Sequence, residues 1–145
     1  MRVLPAILCI LVASGCSEGH PPAQTNEPAA VPMGTIRGTV SYLERIALSN
    51  RAVLELTLED VSRQDEAAPI IAAKSMPDPG QVPIRFELDF PSAAIDPRLA
   101  YALRARISDG GRLLFTTDTV VPVLTRGAGR EVHPMLVPAT QGEKP

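Results

Sequence analysis

Beyond Gly34, apolar and polar residues alternate with a period of two over most of the chain. That period places successive side chains on opposite faces of an extended strand. Ile36, Gly38, Val40 and Tyr42 fall on one face, with Thr35, Arg37, Thr39 and Ser41 on the other. After a break at Ser49-Asn50, Leu54, Leu56 and Leu58 alternate with Glu55, Thr57 and Glu59. A helix would scatter those leucines around its circumference, whereas a strand aligns them. Val82, Ile84, Phe86, Leu88 and Phe90 alternate with Arg85, Glu87 and Asp89, and Tyr101, Leu103, Ala105 and Ile107 alternate with Arg104 and Arg106. Each of these strands is expected to bury one face and show the other to solvent.

Turn residues divide the remainder. Residues 65–74 are ambiguous between strand and helical turn, and the reading adopted is a strand at Ile70–Lys74. Pro77, Asp78, Pro79 and Gly80 make a turn, Pro83 suits the start of a strand or an edge, and Pro91 ends a run. Residues 92–98 form a connection with room for one turn of helix. Asp109-Gly110-Gly111 predicts a hairpin, residues 113–124 return as one or two strands, and Arg126-Gly127-Ala128-Gly129 turns again. The last strand, Glu131–Val137, is placed at an edge because Pro134 lacks a ladder donor. Seven or eight short strands with little helix predict an all-β domain over residues 35–139. A two-sheet antiparallel β-sandwich is favoured, with a partly open barrel as the alternative. With three Phe, two Tyr and no Trp in the chain, its core must be mostly Leu, Ile and Val.

The first residues follow a different logic. Met1-Arg2 is a short positive region, Val3 to Val12 an uncharged apolar one, and Ala13-Ser14-Gly15 a run of small side chains leading into Cys16. The apolar stretch spans about ten residues, against roughly 20 for a membrane-spanning helix. Small residues running into a cysteine resemble the bacterial lipobox, which implies a signal peptide at 1–15 and acylation of the Cys16 thiol at the new N-terminus. Residues 16–34, with Pro21, Pro22, Pro28 and Pro32, then read as a tether. Its 18 residues after Cys16 would span roughly 23 Å as a coil or about 56 Å as polyproline II. Residues 140–145 read as an unstructured tail. Cys9 leaves with the signal peptide, so the folded domain holds no thiol for a disulfide, metal or nucleophile.

The formal net charge of −2, more negative by one when Arg2 leaves, excludes a nucleic-acid binder. No Gly-x-Ser-x-Gly elbow or phosphate loop occurs, and Gly127-Ala128-Gly129 lacks the third glycine of a dinucleotide loop. His20 lies in the tether and His133 on the solvent side of the last strand, which makes neither a metal nor a catalytic site. No enzyme, cofactor, metal or small-molecule substrate is expected. Surface chemistry remains. Glu55, Glu59, Glu87 and Asp89 face Arg85, Arg104, Arg106 and Arg112 as candidate cross-strand ion pairs, and Arg104 with Arg106 forms a candidate patch for an acidic partner. Glu44 and Arg45 are expected either to brace a loop as an ion pair or to meet a partner. The edge strand at Ile70–Lys74, with its apolar pair Ile70-Ile71, is the preferred place for an added strand from a partner.

Tyr42-Leu43-Glu44-Arg45-Ile46-Ala47-Leu48, then Ala52-Val53-Leu54-Glu55-Leu56-Thr57-Leu58-Glu59-Asp60-Val61-Ser62, resemble the YbaY family of bacterial lipoproteins. Val82-Pro83-Ile84-Arg85-Phe86, Ile95-Asp96-Pro97-Arg98, Tyr101 to Ile107 and Val123-Leu124-Thr125 continue the resemblance in the same order, over most of residues 36–137. That family is similar to the YscW-type pilotins of type III secretion, lipoproteins that help a secretin ring reach or assemble in the outer membrane. The resemblance implies a transthyretin- or immunoglobulin-like sandwich, a lipid anchor and no catalytic residues. The expected protein is a membrane-anchored, non-enzymatic binding or assembly module of the cell envelope, with membrane lipid and a secretin-like envelope protein as partners. The alternative is a structural or stress-related envelope lipoprotein without a dedicated client. Ser17, in place of the aspartate that retains many lipoproteins in the inner membrane, points to the periplasmic face of the outer membrane.

Overall fold

Strands form where the alternation is strongest. A computed structural model describes residues 31–63 and 66–139; the signal peptide, Cys16, the tether to residue 30 and the tail 140–145 lie outside the described residues. In chain order the strands are β1 (Met33–Tyr42), β2 (Ala52–Asp60), β3 (Ile70–Pro77), β4 (Ile84–Pro91), β5 (Tyr101–Asp109), β6 (Arg112–Thr116), β7 (Val121–Val123), β8 (Glu131–Val132) and β9 (Met135–Pro138). The helical turn allowed after Pro91 is present as one 3₁₀ turn at Ser92–Ala94. The hairpin at Gly110-Gly111 joins β5 to β6, with both glycines at positive φ.

These strands make a curled, mixed sheet, a half-barrel, in the order β3-β2-β5-β6-β9-β1-β4, with β7 paired to β5 and β8 to β1. The two separate antiparallel sheets expected from the pattern are not what the hydrogen-bond ladder forms. Alternation reports that a strand has one dry face, which a sandwich and a curled sheet share, so it does not decide between them. The last strand decides it. Pro134 splits the expected Glu131–Val137 segment in two, and both parts pair parallel to β1, at Arg37↔Glu131 and Gly38↔Val132 and at Ser41↔Met135 and Tyr42↔Leu136. β9 also pairs with β6, at Phe115↔Pro138 and Thr116↔Val137, and so welds the two halves of the sheet together. This segment is therefore interior, not an edge. The proline costs a donor but its carbonyl accepts the Ser41 N–H at 3.1 Å.

The concave side holds the core. Ile36, Val40, Leu54, Leu56, Leu58, Leu88, Phe90, Leu103, Ala105, Ile107 and Leu136 are all buried, matching the inward phases expected. Tyr42 stacks on Phe115 with ring centroids 4.2 Å apart. Its hydroxyl donates to Ile46 O at 2.7 Å, and burial first, then the nearby Glu44 charge, raises its pKa. Gly38 lets β1 approach β8: a β-carbon there would lie 1.7 Å from Val132 O. The connection after β4 is pinned by Asp96, whose carboxylate accepts from the Arg98 backbone N–H (2.9 Å) and guanidinium (2.6 Å). The guanidinium hydrogen bond chiefly holds the Asp96 pKa down to about 2. The Tyr101 hydroxyl in turn accepts the Asp96 N–H at 3.0 Å.

Candidate protein-binding surface

The convex face of β3-β2-β5 carries an open groove of about 710 Å³. Register builds it. Thr57 lies beside Ala73 and Arg104, Glu55 beside Ser75 and Arg106, and Glu59 beside Ile70 and Ala102. Ile70, Arg104 and Arg106, three of the residues singled out in the sequence, therefore share one surface. Ile70 is 61% exposed on its wall. Ile71 is separated from it: a bulge between Leu58 and Glu59 leaves Ile71 as the extra residue, and its side chain packs against the core. The apolar pair does not act as one grip.

Charge in the groove is mixed. Arg104 Nε lies 3.2 Å from Glu59 Oε1, and Thr57 Oγ1 donates to the same oxygen at 3.1 Å. Glu59, expected at the open surface, is only 9% exposed because it lies flat beneath Arg104. Two of the other outward carboxylates find different partners from those expected: Glu87 pairs with Arg37 at 3.2 Å, and Asp89 accepts from Thr35 Oγ1 at 2.6 Å. Exposed pairs of this kind are worth about 0–1 kcal/mol each. Glu44 and Arg45 do not form the expected ion pair and do not line the groove. They sit in the bend after β1, where Glu44 Oε2 is buried without a hydrogen bond and Arg45 is exposed. The bend is braced instead by the Tyr42 hydroxyl on Ile46 O. His133 faces solvent and sits 2.9 Å from Thr39 Oγ1 through Nδ1.

The two ends of the sheet meet beside this groove. In an antiparallel pair, alternate residues turn their backbone groups toward the partner. Asp78 N donates to Ala52 O (2.9 Å), so Ala72, Lys74 and Met76 bond β2 while Ala73 and Ser75 point their N–H and C=O to the open side. Ser92 N donates to Pro32 O (2.9 Å), and by the same alternation Arg85, Glu87 and Asp89 of β4 point away from β1. The open sides look toward each other, because Lys74 Nζ crosses to donate to Glu87 O at 2.7 Å. No backbone hydrogen bond joins β3 to β4 among the described residues.

A second surface was not anticipated from the sequence. Between β7 and β8-β9 a groove of about 570 Å³ sets Val120, Pro122, Val132, Pro134, Met135 and Val137 beside Asp118, Thr119, Glu131 and His133. Val120 and Met135 are 69% and 48% exposed there. Within the Val120-Val121-Pro122-Val123 run, Val123 is buried in the core while Val120 opens into this groove.

The chain is similar to proteins of known kind. The family model described as the type III secretion system lipoprotein chaperone (YscW) matches residues 31–136. The uncharacterized lipoprotein YbaY of Escherichia coli (strain K12) is 32% identical over 151 residues, covering 95% of this chain and 79% of that protein. The structure of an alternative pilotin from the type II secretion system of Vibrio cholerae superposes with a TM-score of 0.72 at 38% identity. That match takes in 75% of this chain and 99% of the pilotin.

Proposed function

The chain belongs to the family of type III secretion system lipoprotein chaperones, and from that premise we propose that it is a pilotin-like assembly module of the bacterial envelope. It holds a secretin subunit and performs no chemistry on it. The observation that carries this reading is the pilotin from Vibrio cholerae, matched over 99% of its length at 38% identity. Acylation of Cys16 anchors the module to lipid, and the proline-containing stretch that follows lets the domain stand off the headgroups. Ser17 favours the periplasmic face of the outer membrane, where a secretin ring is built. The groove bearing Ile70, Arg104 and Arg106, with the adjoining open edges of β3 and β4, is the surface offered to the partner.

Co-purification tests it. The mature lipoprotein, extracted in mild detergent, should bring down the secretin subunit of the same cell in a stoichiometric complex. Absence of that subunit, with the lipoprotein intact and folded, favours an envelope lipoprotein without a dedicated client, in keeping with the relationship to YbaY.

A further inference from the structure

We infer that the groove on β3-β2-β5 and the groove between β7 and β8-β9 are two parts of one track across the convex face, which takes a partner segment carrying a carboxylate and a basic residue with apolar side chains between them. This deepens the reading of the protein as a protein-binding module and rests on it. A smaller recess joins the two grooves: Glu59 and Arg104 line both it and the first, while Asp118, Thr119 and Val120 line both it and the second. The track is therefore continuous. From β3 it crosses β2, β5 and β7 to reach β8, which at about 4.8 Å per strand is roughly 19 Å along the sheet. The ladder groups beneath it are already taken, since β2 pairs with β3 and β5, and β5 pairs with β2, β6 and β7. A segment lying on the track is read through side chains, not as an added strand.

Chemistry changes along it. Toward β3 stand the exposed Ile70 and then Arg104, whose contacts with Glu59 both run through Nε and leave its terminal N–H groups for a second carboxylate. Toward β8-β9 the exposed Val120 and Met135 share their groove with Asp118 and Glu131, and no lysine or arginine lines that part among the described residues. The two parts are complementary to opposite charges. A bound segment places a carboxylate by Arg104, apolar residues on Val120 and Met135, and a lysine or arginine by Asp118 and Glu131, so charge fixes the direction in which it lies. The chain's own ends do not supply such a segment. Residues 17–30 contain no lysine or arginine, and residues 140–145 offer Lys144 without any large apolar residue beside it.

The test uses the unacylated mature chain and a synthetic sixteen-residue peptide with two aspartates near one end, two lysines near the other and leucines between, long enough to span the track whether helical or extended. Binding is followed by NMR. A nitroxide on the aspartate end should broaden the amides of Ile70 and Ala73, and the same label on the lysine end those of Val120 and Met135. Asp118→Lys combined with Glu131→Lys should weaken binding at least tenfold, and a peptide with glutamates in place of its lysines should recover it. Val120→Ser should weaken binding at least threefold with the charges intact. All three positions are exposed, and thermal melts of the variants establish that the fold persists. Broadening at one end only, the two ends in reversed order, charge reversal without effect, or association of the chain with itself through Val120 and Met135 overturns the track. Failure of the secretin subunit to co-purify while the peptide maps to both ends removes the secretin reading and leaves the track standing; a secretin that co-purifies while no peptide maps to the track does the reverse.

Discussion

Gly38→Ala isolates the contact between β1 and β8, the short strand just before the β9 segment that joins the two halves of the sheet. An alanine β-carbon at this site would lie 1.7 Å from Val132 O, 2.8 Å from Val132 C and 3.2 Å from the Phe86 ring. The nearest obstacle is backbone, so no side-chain rotation relieves it. β8 must move off β1, which stretches the Arg37 N–H bond to Arg130 O, now 2.8 Å, and the pairs Arg37↔Glu131 and Gly38↔Val132. Overpacking of this kind costs about 1–3 kcal/mol and each weakened hydrogen bond about 0.5–1.5 kcal/mol net. Restriction of the unfolded chain by alanine returns about 0.4–1 kcal/mol. A loss of roughly 2–3 kcal/mol remains. Gly129→Ala is the control, since its nearest neighbour would be Glu131 N at 3.8 Å. Urea unfolding of the unacylated mature chain reads the difference as a lower midpoint with an unchanged slope. Equal midpoints for Gly38→Ala and the unaltered protein would refute the placement of β8 against β1.

Leu56→Asp should leave the chain unfolded by circular dichroism, because it puts a carboxylate at a position with no exposure, whereas Glu55→Lys on the groove side should change stability by less than about 0.5 kcal/mol. Asp96 has a folded pKa of about 2, below its unfolded value, so its contribution is complete above roughly pH 4 and is lost as pH falls toward 2. Asp96→Asn should therefore flatten the acid limb of the stability–pH curve across that window; an unchanged limb would contradict the Asp96–Arg98 contact. Cys16→Ser should abolish incorporation of radiolabelled palmitate and shift the protein from the detergent phase to the aqueous phase on partitioning; retained label would exclude Cys16 as the anchor.

Much of the fold was legible because a strand with one dry face writes its phase into the sequence. Leu54, Leu56 and Leu58, and Leu103, Ala105 and Ile107, are buried as their alternation required. The way strands are joined is not written in that period. Whether Glu131–Val137 closes a sandwich or bridges a half-barrel depends on β9 pairing with both β1 and β6, contacts between residues far apart in the chain. The candidate surface was partly legible for a similar reason. Outward phase brought Arg104 and Arg106 together, but the bulge that turns Ile71 away from Ile70, the burial of Glu59 under Arg104 and the exposure of Val120 arise from register and strand splitting. Glu44 and Arg45 form no ion pair in the bend after β1, where the Tyr42 hydroxyl donates to Ile46 O and Glu44 Oε2 is buried without a partner.

Fractionation of cells that express the secretin subunit tests the assembly role most directly. With the unaltered protein, the secretin should form detergent-resistant multimers in the outer membrane. With the gene deleted, or with Cys16→Ser in its place, it should remain monomeric or collect in the inner membrane. Secretin multimers at normal abundance in the outer membrane of both strains would contradict the account.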